Sequence, residues 1–203
     1  MNDLYASIIH DVKNQLAELS LRLGQRGDAQ QEVGITMAAA RRLSEMLLLY
    51  RDDNGQLRVN IDTRDPAGFL EILAAEYREL FPALAFQVDT SRAPAFAFFD
   101  DILVRMALGN ALHNASHAAR SLVRLAVYQQ DNMLVFEVAD DGPGYPEGLL
   151  QTAGATPAQV SGVGTGLGLF LARKISALHQ SQGRSGCIEL CNASGAVFRM
   201  FLP

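Results

Sequence analysis

Apolar residues recur with a helical period along the first quarter of the chain. Tyr5, Ile9, Val12, Leu16, Leu19 and Leu23 follow one another at spacings of 4, 3, 4, 3 and 4, the seam of a coiled-coil-like helix over residues 3 to 24. The glycines of GQRGD, residues 24–28, end it. A second amphipathic helix is predicted from Glu32 to Arg51, with Val33, Met37, Ala40, Leu43, Leu47 and Tyr50 on its apolar stripe. Two helices joined by a short turn make an antiparallel hairpin. Such a hairpin cannot bury both seams alone. Pairing with a second copy completes a four-helix bundle, so a homodimer is expected.

The polar run RDDNGQ, residues 51–56, separates this hairpin from a region with a different pattern. The expected division is a helical hairpin over 1–52 and a mixed α and β region over 53–203, an α+β chain overall. LRVNI, residues 57–61, alternates like a half-buried strand. Asp65 and Pro66 have the form of an N-cap and a first helical proline, opening a helix over 66 to 80. LAFQVDT, residues 84–90, alternates again, and Asp100 caps a helix expected to reach Ala119. LVRLAVYQQ and MLVFEVAD read as two strands joined at Asp131 and Asn132. A glycine-rich stretch from 142 to 168 follows, then a helix over 166 to 179. CIELCN and AVFRMFL close the chain as a hairpin across Ala193-Ser194-Gly195.

Composition narrows the function. With 203 residues and 49% apolar content the chain can bury a sizeable core. A formal net charge of −5 argues against a nucleic-acid binder with a broad basic face. Cys187 and Cys191, on one strand, would lie roughly 13 Å apart, too far to bridge. No disulfide framework is implied, which makes a reducing cytoplasm the expected location. The start of the chain lacks a signal-peptide pattern, and no apolar run is long enough to span a membrane. If this protein senses anything outside the cell, another chain, such as a separate sensor, or a segment outside this sequence does it.

Four stretches carry candidate chemistry. In SIIHDVKNQL, His10, Asp11 and Asn14 fall at the b, c and f positions of the seam, away from its packed residues. An exposed imidazole can attack a phosphoryl group when a base holds its other nitrogen. Asp11 is the adjacent candidate base, and Asn14 could orient a water or a phosphoryl oxygen. Taken alone, the stretch reads more simply as a solvated helix face. In GNALHNASHAA, Asn110, Asn114 and His117 share one helical face with His113 beside them. Amide oxygens suit Mg²⁺ bridged to phosphates; a plain polar face is the alternative, and a His113–His117 zinc pair lacks a third ligand. In ADDGPGYP, Asp140 ends an apolar strand before Gly142 and Gly144. It could accept a hydrogen bond from an exocyclic amine such as that of adenine, or be an ordinary Asp-Gly turn. In GVGTGLGLFLARKI, Gly164, Gly166 and Gly168 open a helix whose first amides suit phosphate. The spacing fits neither G-x-G-x-x-G nor a P-loop. The aperiodic stretch between Gly144 and Gly162 is long enough to form a lid.

In this order the four stretches resemble the sensor histidine kinases of two-component signalling. HDVKNQL is similar to that family's H box, NALHNA to its N box, DDGPG to its G1 box and GTGLGL to its G2 box, and VFRMFLP resembles its last strand. The resemblance covers nearly the whole chain. It implies a dimeric helical hairpin followed by an ATP-binding α/β two-layer sandwich, with ATP and Mg²⁺ as cofactors and a response regulator receiver domain as partner. It also implies that His10 is the phosphoacceptor, Asp11 its base and Asn14 the position tied to phosphatase activity. Asn110, Asn114 and His117 would handle Mg²⁺ and phosphates, with Asn114 the metal residue, and Asp140 would read adenine. Gly142, Gly144, Gly164, Gly166 and Gly168 would shape the nucleotide site and lid. Gln15 stands where the H box usually has proline, and Met106 where many members carry glutamate. Residues 145–172 contain no Lys or Arg. This leaves a histidine phosphotransfer adaptor, or a scaffold, with a weakened or lost ATP site as the alternative.

Overall fold

The structure, a computed structural model, describes residues 30–53, 57–152 and 167–203, together with helical positions between 11 and 23. The chain divides into two compact units, residues 1–58 and 59–203.

In the first unit the described positions between 11 and 23 are helical, and helix α1 runs Gln30–Asp53. Along α1, Leu47 is buried and Ala40, Leu43 and Tyr50 are half-buried, which follows the predicted stripe. Ile35, Met46, Val12 and Leu19 are large apolar side chains left exposed in this unit.

The second unit is α+β with a mixed sheet. Its strands are β1 (Asp62–Arg64), β2 (Ala85–Arg92), β3 (Ala97–Phe99), β4 (Leu122–Gln130), β5 (Met133–Asp140), β6 (Gln180–Ser181), β7 (Arg184–Ser185), β8 (Cys187–Asn192) and β9 (Ala196–Leu202). Its helices are α2 (Pro66–Leu80), α3 (Asp101–Ala118), α4 (Glu147–Thr152) and α5 (Leu167–Leu178). The main sheet has the order β2-β4-β5-β9-β8. Only β2 and β4 run parallel.

Strand alternation sends Leu125, Phe136, Phe198 and Met200 to one face, where Leu70, Leu73, Leu108, Leu112, Leu171 and Ile175 of the helices meet them, all fully buried or nearly so. Phe69, Phe99 and Phe136 form an edge-to-face triangle with ring centroids 5.3 to 5.7 Å apart. The opposite face is polar at its centre, where Arg199 pairs with Glu137 at 2.6 Å and Glu189 at 3.3 Å.

Local signals set many of the boundaries. Asp65 Oδ1 accepts from the Ala67 and Gly68 amides and Pro66 starts α2. Asp100 Oδ1 accepts from the Leu103 amide and starts α3. Asp131 and Asn132 have φ of 51° and 59°, the left-handed pair of a tight hairpin turn.

LRVNI is not a strand. The ladder begins just after it, at Asp62, where β1 pairs with β3. The burial of residues 57–60 does alternate, but no strand among the described residues pairs with them, and the Asn60 amide donates instead to the Asp100 carboxylate at 2.8 Å. The glycine-rich stretch also holds the short helix α4, which its aperiodic sequence does not announce. Both cysteines are free.

Candidate functional site

Asp140 ends β5 and Asp141 follows it, and the two carboxylates bond to different partners. Asp140 is 4% exposed. Its Oδ1 accepts from the Gly142 amide at 2.8 Å and the Ala196 amide at 3.2 Å. Its Oδ2 accepts no hydrogen bond among the described residues, so a buried carboxylate presents one uncommitted acceptor. Asp141 instead accepts from the Arg120, Ser121 and Leu122 amides and the Ser121 hydroxyl. The Ser121 hydroxyl and these amides hold its carboxyl well below the usual carboxylate range. Asp141 thereby ties the end of α3 to the start of β4, while Asp140 stays available.

Glycine is required immediately after them. A Cβ on Gly142 would lie 2.3 Å from the Ala118 carbonyl oxygen, so the turn lies directly on the end of α3. Gly144 has φ of +86°, which side chains rarely adopt. Tyr145 follows. Burial raises the pKa of its phenol, and the nearby Asp140 carboxylate adds to that, so the hydroxyl stays protonated.

Helix α3 supplies the second set of groups. Asn110 is 5% exposed, and its Nδ2 is buried with no hydrogen-bond partner among the described residues. An orphaned donor of this kind costs free energy unless something binds it. Gly168, in the first turn of α5, packs against the same side chain. A Cβ there would lie 3.1 Å from Asn110 Cγ. The first turn of a helix carries amides without helical partners and a partial positive charge. Buried donor and helix start together suit an anion. One turn beyond Asn110, Asn114 is exposed, and His117 lies exposed a further turn out. The His117 ring stacks edge-on with Phe81 at 5.4 Å and His113 at 4.3 Å. Among the described residues no cluster of three or more His, Cys, Asp or Glu could hold a metal ion.

The second unit thus brings Asn110 beside Gly168, and Asp140 beside Gly142. Asp11 and Asn14 are exposed on the helix of the first unit. His10, Gly164 and Gly166 lie outside the described residues. Asp141, Asn192 and Ala196 are residues that sequence reasoning did not single out. Their contacts come from the sheet order and leave no local pattern.

Residues 100–203, just over half the chain, match the model of the histidine kinase-, DNA gyrase B- and HSP90-like ATPase family. The chain belongs to this family. Asn110, Asn114, Asp140 and the glycine residues of the site all fall inside the matched ATPase segment.

Relatives of this chain include the signal transduction histidine-protein kinase AfsQ2 of Streptomyces coelicolor, 29% identical over 181 residues, covering 84% of this chain and 32% of that protein. The sensor protein IrlS of Burkholderia pseudomallei is 27% identical over 198 residues, covering 88% and 42%. The chain therefore spans less than half the length of these curated relatives. Among solved structures, full-length ShkA in complex with AMPPNP has a TM-score of 0.69 at 18% identity, covering 99% of this chain and 45% of that one. The mycobacterial sensor histidine kinase MprB has a TM-score of 0.61 at 21% identity, covering 71% and 97%. The resemblance to sensor histidine kinases is borne out, and the second unit has the fold of their ATPase domains. No helix among the described residues is long and apolar enough to cross a membrane.

Proposed function

We propose that the chain is the core of a two-component histidine kinase, in which residues 59–203 bind Mg-ATP and His10 accepts its γ-phosphoryl group. The observation that carries this reading is that the unit holds both a buried acceptor and a buried donor without partners among the described residues: Asp140 Oδ2, and Asn110 Nδ2 against the first turn of α5. A base bearing an exocyclic amine suits the first, and phosphate oxygens suit the second. Asn114 and His117, exposed on the same face of α3, extend the polar surface toward solvent, and Asn114 would hold Mg²⁺. When bound, the metal neutralises charge on the phosphates and helps orient them.

A neutral ring nitrogen of His10 attacks the γ-phosphorus. The bond to the bridging oxygen breaks, ADP leaves, and Asp11 holds the proton on the other ring nitrogen. A response regulator aspartate then takes the phosphoryl group from His10, and Asn14, exposed on the first helix, would orient the water that removes it from the regulator. The exposed apolar side chains of the helical unit, Ile35, Met46, Val12 and Leu19, support pairing with a second copy into a four-helix bundle in the cytoplasm.

The test is incubation with γ-labelled ATP and Mg²⁺, wild type beside His10→Ala and Asn114→Ala. Acid-labile label on the wild type, lost in both variants, is expected. Label retained by His10→Ala would sink the assignment. The lack of any Lys or Arg between 145 and 172 favours a second reading, a phosphotransfer adaptor with a weakened ATP site. It predicts no measurable ATP affinity, together with phosphoryl transfer to His10 from a phosphorylated regulator.

A further inference from the structure

The last cross-strand pair of the β8–β9 hairpin is Asn192 with Ala196, closed by a bond from the Ala193 amide to the Gly195 carbonyl at 2.9 Å. Each member of this pair grips one end of the turn that follows β5. The Ala196 amide donates to Asp140 Oδ1. The Asn192 side chain takes Tyr145 at both backbone groups: Oδ1 accepts from the Tyr145 amide at 2.7 Å, and Nδ2 donates to the Tyr145 carbonyl at 2.9 Å. The carboxamide thus pairs with the backbone as a neighbouring strand would. It also lies flat against Gly144, where a Cβ would fall 2.8 Å from its Cγ and Oδ1. The hairpin end is equally tight on Asp140, since a Cβ on Gly195 would lie 2.2 Å from the Asp140 carbonyl oxygen. The turn Asp140–Tyr145 is therefore fixed at its start by Ala196, internally by the Gly142 amide, and at its end by Asn192.

We propose that Asn192 is a positioning residue of the nucleotide site, which holds the glycine turn closed on the β8–β9 hairpin and so keeps the free oxygen of Asp140 aimed at the base. This rests on the reading of residues 59–203 as an ATP site. Asn192 touches no nucleotide in this scheme. It acts through the Tyr145 backbone, and its effect falls on recognition of the base and leaves the phosphates alone. With the clamp gone, Gly142 and Gly144 are free to leave their close-packed conformations, and the Asp140 carboxylate loses one of the constraints on its orientation.

The experiment measures Kd for Mg-ATP, Mg-GTP and Mg-tripolyphosphate, with the thermal midpoint, on full-length wild type, Asn192→Ala and Asn192→Asp. Asn192→Ala loses two neutral hydrogen bonds, so ATP affinity should fall about tenfold. Preference for ATP over GTP should fall by the same factor, while tripolyphosphate binding stays unchanged. Asn192→Asp keeps the acceptor for the Tyr145 amide but sets a carboxylate oxygen against the Tyr145 carbonyl, so its ATP preference should fall about tenfold or more. It decides the matter should the alanine variant not fold. Unchanged base preference in the folded variants would overturn the proposal. So would an equal loss for all three ligands with a lowered thermal midpoint, because that is what a merely structural residue produces. A wild type with no ATP affinity would instead overturn the nucleotide site itself.

Discussion

Strand β5 has a turn at each end, and the two are built on different principles. At its start, Asp131 and Asn132 reverse the chain within two residues, both left-handed, and the turn is complete in itself. Arg184 reaches it only to donate to the Asp131 carbonyl at 2.8 Å. At its end, the turn from Asp140 to Tyr145 is held by residues far away in sequence: Ala118 below Gly142, Ala196 on Asp140 and Asn192 on Tyr145. The first turn closes a ladder. The second aims a carboxylate, and aiming needs fixed points outside the turn.

The largest effect should come from Gly142→Ala. Its Cβ meets the backbone oxygen of Ala118, which cannot rotate aside, so about 3 kcal/mol of stability should go, and ATP binding with it. Urea denaturation midpoints and calorimetry read both. Next in size is Asp140→Asn. The amide oxygen still accepts from Gly142 and Ala196, so the fold should hold. The free acceptor becomes a donor facing a donor, and ATP affinity should fall about a hundredfold. Isothermal titration with an unchanged Kd would remove Asp140 from base recognition.

These two variants also show what the sequence makes legible. Asp131-Asn132, the Asp65-Pro66 cap and the Asp100 cap are read correctly because each bond spans a few residues. That Asp140 ends a strand before required glycines is legible for the same reason. The residues that hold it are not, because the Ala196 amide is 56 positions away and reaches Asp140 only through the pairing of β5 with β9. LRVNI fails in the reverse sense: the pattern is present, but the partner strand lies opposite Asp62–Arg64. The assignments of His10, Gly164 and Gly166 rest on the box motifs alone.

A smaller effect separates the ends of α3. Ala118, at its last turn, supports the glycine turn. At its first, the Asp100 amide donates to Nε2 of the buried His179, whose Nδ1 bonds the Ile175 carbonyl at 2.8 Å. Burial lowers the His179 pKa, outweighing the Ile175 bond and the Asp100 charge, which raise it. Below about pH 6.5 the unfolded chain takes up a proton that the folded chain resists. Stability should therefore be full above that value and decline as the pH falls toward the folded pKa, by at most about 1.4 kcal/mol per pH unit. Urea midpoints across this range should show the slope, and His179→Gln should flatten it.

The smallest effect should be Asn132→Gly, in the self-contained turn. Glycine accepts the left-handed conformation, so stability should stay within about 0.5 kcal/mol and ATP affinity should not change. A change in affinity would mean that the two ends of β5 communicate.

The pairing of Asp140 with Ala196 has a consequence for biosynthesis. Ribosomes add about 5–20 residues per second, so the amide that completes the carboxylate's setting is made roughly 3–11 s after the carboxylate itself. During that interval β5 can pair with β4, but Asp140 has neither its hairpin support nor the Asn192 clamp. The helical unit and most of the sheet can therefore exist on a growing chain before a competent base-reading carboxylate does.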